Sequence, residues 1–235
     1  MKIKIINPDY GMTEKQIEKR IKILNKFKRK DTHISMECLK DTEVVIDSLF
    51  ESSIASKEII EIARKAERDN YNAVVLYCFS DPALLPCREL LKIPVIGAGQ
   101  SSLYTALELG YNFSLIITDK RRNPEKMNFI ESNGISLSRL ASIRKCSLDY
   151  DEIENDRNKT LKKLELAAKK CRDLDNAQVI VLGCLSFLDY GAELSKIINI
   201  PVIDSGINSL LTAERLYLQR LSHSKKSFPY PKNLL

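Results

Sequence analysis

The chain has 235 residues, 44% hydrophobic and 29% charged, a balance that supports a folded core and excludes the disordered and fibrous classes. Its net charge of +6 comes with no zinc-finger spacing, RNP aromatic motif or basic zipper, so no nucleic-acid partner is expected. Six cysteines without a CxxC pair, beside two histidines, point to neither a zinc site nor a disulfide framework, and no metal is expected.

In chain order, the first residues alternate basic and apolar and predict a strand over 2–6. They lack the apolar region and cleavage site of a secretory signal, and no apolar run approaches the roughly 20 residues that cross a bilayer. A cytoplasmic protein that does not enter membranes is expected. Tyr10-Gly11 reads as a turn, and Ile17, Ile21, Leu24 and Phe27 recur at helical spacing over 14–27. The densest basic group, Lys19, Arg20, Lys22, Lys26, Lys28, Arg29 and Lys30, reads as the solvated face of that helix. Further strands are predicted over 33–38, 73–77, 95–96, 112–117, 179–182 and 202–203. Helices are predicted over 53–69, 82–91, 101–109, 124–133, 151–174 and 208–221, with another between Cys184 and Pro201. Residues 222–235, with two prolines and three lysines, read as a poorly ordered or docking tail. Strands alternating with amphipathic helices are the pattern of an α/β fold on mostly parallel sheets.

A repeat runs through this alternation. Val74-Val75-Leu76-Tyr77-Cys78 is followed by a helix and Ile93-Pro94-Val95-Ile96-Gly97-Ala98-Gly99, with Ser102 beyond. Ile180-Val181-Leu182-Gly183-Cys184 is followed by a helix and Ile200-Pro201-Val202-Ile203-Asp204-Ser205-Gly206, with Ser209 beyond. Pro94 lies 16 residues after Cys78, and Pro201 lies 17 after Cys184. Two pseudo-symmetric lobes follow, one of residues 1–97 with 206–235 and one of 98–205, each a mostly parallel sheet flanked by helices. Ligands of such folds gather at the carboxyl ends of the strands, where both cysteines stand, so the active site is expected in the cleft between the lobes.

A cysteine at a strand end that leads into a helix gains thiolate character from the helix N-terminus. Asp81 and Pro82 are expected to cap and open the helix after Cys78, and Ser186 to cap the one after Cys184. Two thiols on opposite faces of one carbon suit proton removal next to a carbonyl on one side and proton delivery on the other, without a cofactor. Ser80, Thr118 and the amides after Cys184 are candidate donors to the developing oxyanion; the alternatives are a turn residue for Ser80 and a helix-capping role before Pro124 for Thr118. Cys87 and Cys171 fall on helices and are expected to pack. Cys38, Cys146, His33 and His223 carry no assigned chemistry.

These residues resemble the aspartate/glutamate racemase superfamily and, within it, the hydantoin and allantoin racemase branch. Ile6-Asn7-Pro8-Asp9 with Met12-Thr13 is similar to that branch's opening INPN and MT pattern. Cys78-Phe79-Ser80-Asp81-Pro82-Ala83-Leu84 resembles its CFGDPGL motif, Pro94-Val95-Ile96-Gly97-Ala98-Gly99 its PVVGIG segment, and Leu182-Gly183-Cys184 its LGC motif. Ile116-Ile117-Thr118, with Arg122 and Pro124, resembles its VTT and R-P stretch. The resemblance implies Cys78 and Cys184 as acid/base pair and Asn7, Ser80, Thr118, Gly183, Leu185 and Ser186 near a small-molecule substrate. It also implies no cofactor, a homo-oligomer, and a first lobe completed by the C-terminal segment. Leu185 and Gln100 depart from the branch pattern, which has GCAGM or GCTH at the second cysteine and glutamate at position 100. Three readings stay open: a racemase of cyclic ureides, an amino-acid racemase or single-cysteine enzyme of the maleate isomerase or decarboxylase kind, and a ligand-binding homologue without turnover.

Overall fold

A computed structural model describes residues 1–146, 148 and 150–232. The chain forms two compact units, Met1–Ala98 with Ser209–Leu235, and Gly99–Asn208. The first unit contains β1 (Lys2–Tyr10), α1 (Glu14–Leu24), β2 (His33–Leu39), α2 (Leu49–Arg68), β3 (Ala73–Leu76), α3 (Leu84–Leu90) and β4 (Val95–Gly97). Then come α4 (Ala98–Leu109), β5 (Phe113–Ile117), α5 (Asn123–Ser132), β6 (Leu140–Lys145), α6 (Tyr150–Asn155), α7 (Arg157–Asp173), β7 (Val179–Leu182), α8 (Gly191–Ile198), β8 (Val202–Asp204) and α9 (Ser205–Leu218).

Each unit holds one four-stranded sheet, ordered β2-β1-β3-β4 in the first and β6-β5-β7-β8 in the second, with every pairing parallel. The all-apolar runs of β3 and β7 are buried along their whole length, as strands covered on both faces must be. Each valine, leucine or isoleucine among them contributes about 1.5–3 kcal/mol by leaving water. The repeat is visible in single hydrogen bonds. The Tyr77 amide donates to the Ile6 carbonyl at 2.7 Å and the Gly183 amide to that of Ile116 at 2.8 Å. The Val74 amide donates to the Pro94 carbonyl at 3.0 Å and that of Ile180 to Pro201 at 2.9 Å. In one unit Leu76 is opposite Gly97, and in the other Leu182 is opposite Asp204, so Tyr77 matches Gly183 and Gly97 matches Asp204.

The structure corrects several boundaries. Strand β6 is not among the predicted elements; it is an edge strand, partly exposed along its length, and its sequence carries no apolar alternation. Helix α2 begins at Leu49, where Ser48 accepts the Glu51 amide and the Glu51 carboxylate accepts the Ser48 hydroxyl and the Asp47 amide. The helix expected over 151–174 breaks at Asp156, whose side chain accepts the Lys159 amide and starts α7 anew.

The C-terminal residues dock on the first unit. The Thr32 hydroxyl and the Arg29 amide donate to the Glu214 carboxylate of α9 at 2.5 and 2.9 Å, with Thr32 and Glu214 both buried. The Lys225 ammonium donates to the carbonyls of Arg88, Glu89 and Leu91 at the end of α3, where a helix terminus favours a cation. His223 accepts the Val95 amide at 2.9 Å, and burial pushes its imidazole down to about 4.

Candidate active site

Both sheets place a reversal of strand order between their first and third strands, β1 beside β3 and β5 beside β7. That is where open α/β sheets bind ligands, at the carboxyl ends. In the first unit the residues just beyond the β1–β3 ladder, which ends at Ile6 opposite Leu76, are Asn7 and Cys78. In the second they are Thr118 and Cys184. Both cysteines and Thr118 are partly buried, and none of the six cysteines is in a disulfide.

Asn7 sits on β1, 1% exposed, and its side chain is fully used. Its amide approaches Met12 Sδ at 2.8 Å, Asp9 Oδ2 at 3.4 Å and Cys38 Sγ at 3.6 Å, while its Oδ1 accepts Arg20 Nη1 at 3.1 Å. Arg20 is therefore not part of the solvated face of α1. It lies three residues after Ile17 and four before Leu24, on the buried side, with its guanidinium 5.9 Å from the Tyr77 ring centroid. Burial pushes the Asp9 carboxyl above the usual carboxylate range, opposed by the Ile46 amide, Arg20 and Asn7. The Cys38 thiol is likewise raised by burial, with the Asn7 hydrogen bond opposing. Arg20 and Cys38 fall outside the motifs and Asp9 closes one without an assigned role; the helical spacing of Arg20 among aliphatic residues is the available signal.

The turn after Cys78 differs from its sequence expectation. Asp81 does not cap α3 and Pro82 does not open it: the helix begins at Leu84 behind Ala83, in the left-handed region at φ +59°, with no side-chain cap. Asp81 has φ +49° and is buried. Its amide donates to the Cys78 carbonyl at 3.1 Å and its carbonyl accepts the Leu84 amide at 3.2 Å. Ser80 is half-buried in this turn.

In the second unit, Cys184 opens a 3-10 turn, Leu185–Phe187, closed by the Phe187 amide on the Cys184 carbonyl at 3.0 Å. Ser186 caps no helix: α8 begins at Gly191 behind Tyr190, again without a side-chain cap. Neither cysteine thus stands at the N-terminus of the α-helix that follows it; Cys184 is instead the N-cap of the 3-10 turn. Leu185 is buried and Ser186 half-buried. Gly183 is there because a Cβ would come within 2.7 Å of Leu115 Cδ1 and 2.9 Å of Ile117 Cγ2. Thr118 does not cap α5, whose N-cap is Arg122. Gln100 donates to Asn133 Oδ1 at 2.7 Å.

The remaining cysteines pack as expected for Cys87 and Cys171, both fully buried. Burial pushes the Cys87 thiol up to about 12; that of Cys146 also rises to about 12, through burial and then the charge of a Cys184 thiolate. Among the described residues there is no group of three or more His, Cys, Asp or Glu side chains that could hold a metal ion, and no helix is long and apolar enough to cross a membrane.

Comparison with known proteins finds a match over residues 3–207 to the profile of the family described as Asp/Glu/Hydantoin racemase. A hydantoin racemase of a Pseudomonas species is 30% identical over 233 residues, covering 98% of this chain and 92% of the relative. Among solved structures, an allantoin racemase from Klebsiella pneumoniae superposes with a TM-score of 0.90 at 23% identity, covering 98% of this chain and 94% of that one. A maleate isomerase from Pseudomonas putida shares the fold more distantly, at a TM-score of 0.68 and 13% identity over 94% and 93% of the two chains.

Proposed function

The chain belongs to the Asp/Glu/hydantoin racemase family, and we propose that it racemises a hydantoin-like or allantoin-like cyclic ureide, or a related amino-acid derivative, with Cys78 and Cys184 as its acid/base pair. Membership makes it an isomerase of the racemase type. The observation that carries the two-cysteine reading is the repeat: each unit ends its third strand in a half-buried cysteine, beside the end of its first strand, at the reversal of strand order.

In this reading one sulfur is thiolate and the other thiol. The thiolate takes the proton from the carbon next to the carbonyl, the electron pair passes to the carbonyl oxygen, and the opposite thiol returns a proton to the other face. The opposite enantiomer reacts with the roles exchanged. Ser80, Thr118 and the amides of Leu185 and Ser186 serve the developing oxyanion, and Gly183 lets β7 approach β5 so that Cys184 reaches the ligand. Asn7 acts by holding the end of β1 through Arg20 and Cys38. The carbonyl of the substrate itself stabilises the carbanion, so no metal or organic cofactor enters. The protein is proposed to work in the cytoplasm as a homo-oligomer.

An optically pure 5-substituted hydantoin or allantoin in deuterium oxide is expected to lose rotation as its α-carbon takes up deuterium. Cys78→Ala and Cys184→Ala should each slow this by about 10²-fold or more. Full activity in both variants overturns the assignment.

The unequal surroundings of the two thiols, Tyr77 before one and Gly183 before the other, favour a second reading in which one cysteine alone is a nucleophile. It requires a covalent adduct at a single cysteine, visible by mass spectrometry of the quenched reaction.

A further inference from the structure

The outer strand of each sheet ends beside its cysteine strand, and a carboxyl group occupies that end in both units, delivered by different residues. In the second unit the carboxyl belongs to Asp204, the last residue of β8 and 8% exposed. Its Oδ1 accepts the amides of Gly206 and Ile207, both at 3.1 Å, which is the bonding of a helix N-cap. Its Oδ2 does something a cap does not require: it accepts the Asp189 amide at 2.7 Å, at the far end of the turn that starts with Cys184. Asp189 is held there at φ +72°. The start of the same segment is held by Ser205, whose hydroxyl donates to the Leu182 carbonyl at 2.7 Å. Gly191 closes the arrangement, since a Cβ there would meet Asp204 Cβ and the Asp204 amide at 3.1 Å.

In the first unit the matching strand end is Gly97, which has no side chain to offer. The space beside it is filled by the Asp81 carboxyl, which a Cβ on Gly97 would overlap at both oxygens. Since Gly97 and Asp204 match in register, a carboxyl whose atoms crowd the Cβ position of Gly97 is as near that strand end as the side chain of Asp204 is in the other unit. Asp81 reaches that place from the turn itself, three residues after Cys78, with its amide on the Cys78 carbonyl.

We propose that Asp81 and Asp204 are equivalent positioning residues, each using its carboxyl against the end of the outer strand to fix the turn that carries its own unit's cysteine. The proposal rests on the reading of Cys78 and Cys184 as an acid/base pair, and it adds a division of labour: Asp81 serves Cys78 only, and Asp204 serves Cys184 only.

The division gives a readout that general loss of structure does not. In a two-base racemase each thiolate deprotonates one enantiomer. A variant that misplaces one thiol slows α-deuteration of the enantiomer which that thiol serves more than that of its mirror image. Both enantiomers of a 5-substituted hydantoin are incubated separately in deuterium oxide and α-deuteration is followed by proton NMR. The wild type is expected to exchange both. Asp204→Asn should slow exchange of one enantiomer at least about tenfold more than the other, since misplacement by an ångström costs up to about 10². Asp81→Asn should show the opposite preference. Burial pushes the Asp204 carboxyl up to about 6, so the ionised form is costly and the asparagine variant is expected to fold. Gly97→Ala is the second route, displacing the Asp81 carboxyl without altering it chemically, and should match Asp81→Asn in preference. Equal slowing of both enantiomers, or none, in folded variants overturns the positioning role. Absence of exchange in the wild type overturns the racemase reading instead, and the proposal with it.

Discussion

The two units share strand order, register and the place of a half-buried cysteine, but they pack the position in front of that cysteine in opposite ways. In the first, Tyr77 fills the space with a fully buried ring beside the Arg20 guanidinium. In the second, Gly183 leaves the space to Leu115 and Ile117 of the neighbouring strand. The same backbone hydrogen bond to the first strand is kept in both. What the fold holds constant is the course of the backbone to the sulfur. The volume around it comes from a tyrosine on the cysteine strand in one unit and from aliphatic side chains of the adjacent strand in the other.

The largest effect expected on this contrast is from Tyr77→Ala, which empties the first unit's solution and should cost about 3–5 kcal/mol in denaturant unfolding. A loss below about 1 kcal/mol would mean that Arg20 and its neighbours collapse into the space. Gly183→Ala attacks the second solution by overpacking and should cost about 1–3 kcal/mol, with slower turnover because the Cys184 backbone must move. Turnover at the wild-type rate in that variant would show that the tight approach of β7 to β5 is not used.

The smallest effects distinguish the units by the sign of their response to acid. His223 of the first unit has its pKa lowered from 6.5 to about 4, so the unfolded chain takes the proton first. Its contribution is complete above about pH 6.5 and is lost as pH falls towards 4, on the order of 1 kcal/mol after discounting for partial exposure. Asp204 of the second unit has its pKa raised from 3.8 to about 6, so its contribution is present below pH 3.8 and lost as pH rises through 6. Amide hydrogen exchange, corrected for its intrinsic pH dependence, should show acid loosening the segment around Val95 and tightening the segment around Asp189. His223→Gln should abolish the first response and leave the second. The same direction in both segments would contradict the assignment of the two groups.

How much of this was legible in the sequence depends on how local the governing contact is. The strands β3 and β7 and the repeat were readable because wholly buried strands are written as unbroken apolar runs. Strand β6 was not, since an edge strand carrying Arg144 and Lys145 looks like a loop. Arg20 reads as a surface residue because the count of basic residues around it outweighs its place between Ile17 and Leu24, whereas it is buried. Asp81 was expected to cap the next helix, a rule that looks a few residues ahead, whereas its carboxyl lies against Gly97, sixteen residues on. The sequence did contain that signal in another form: where the first repeat reads Cys-x-x-Asp and ends its strand in Gly97, the second reads Cys-x-x-Phe and ends in Asp204. An aspartate lost from one position and gained at the other is what a spatial exchange looks like when the two copies are aligned.

The placement of Glu214 governs the order in which the molecule can be finished during synthesis. The Thr32 hydroxyl and the Arg29 amide wait for a carboxylate more than 180 residues downstream, although all four strands of their own sheet lie within residues 2–97. On the ribosome the sheet of the first unit is therefore complete in sequence long before its contacts with α9, which close only after residues 99–208 have been made.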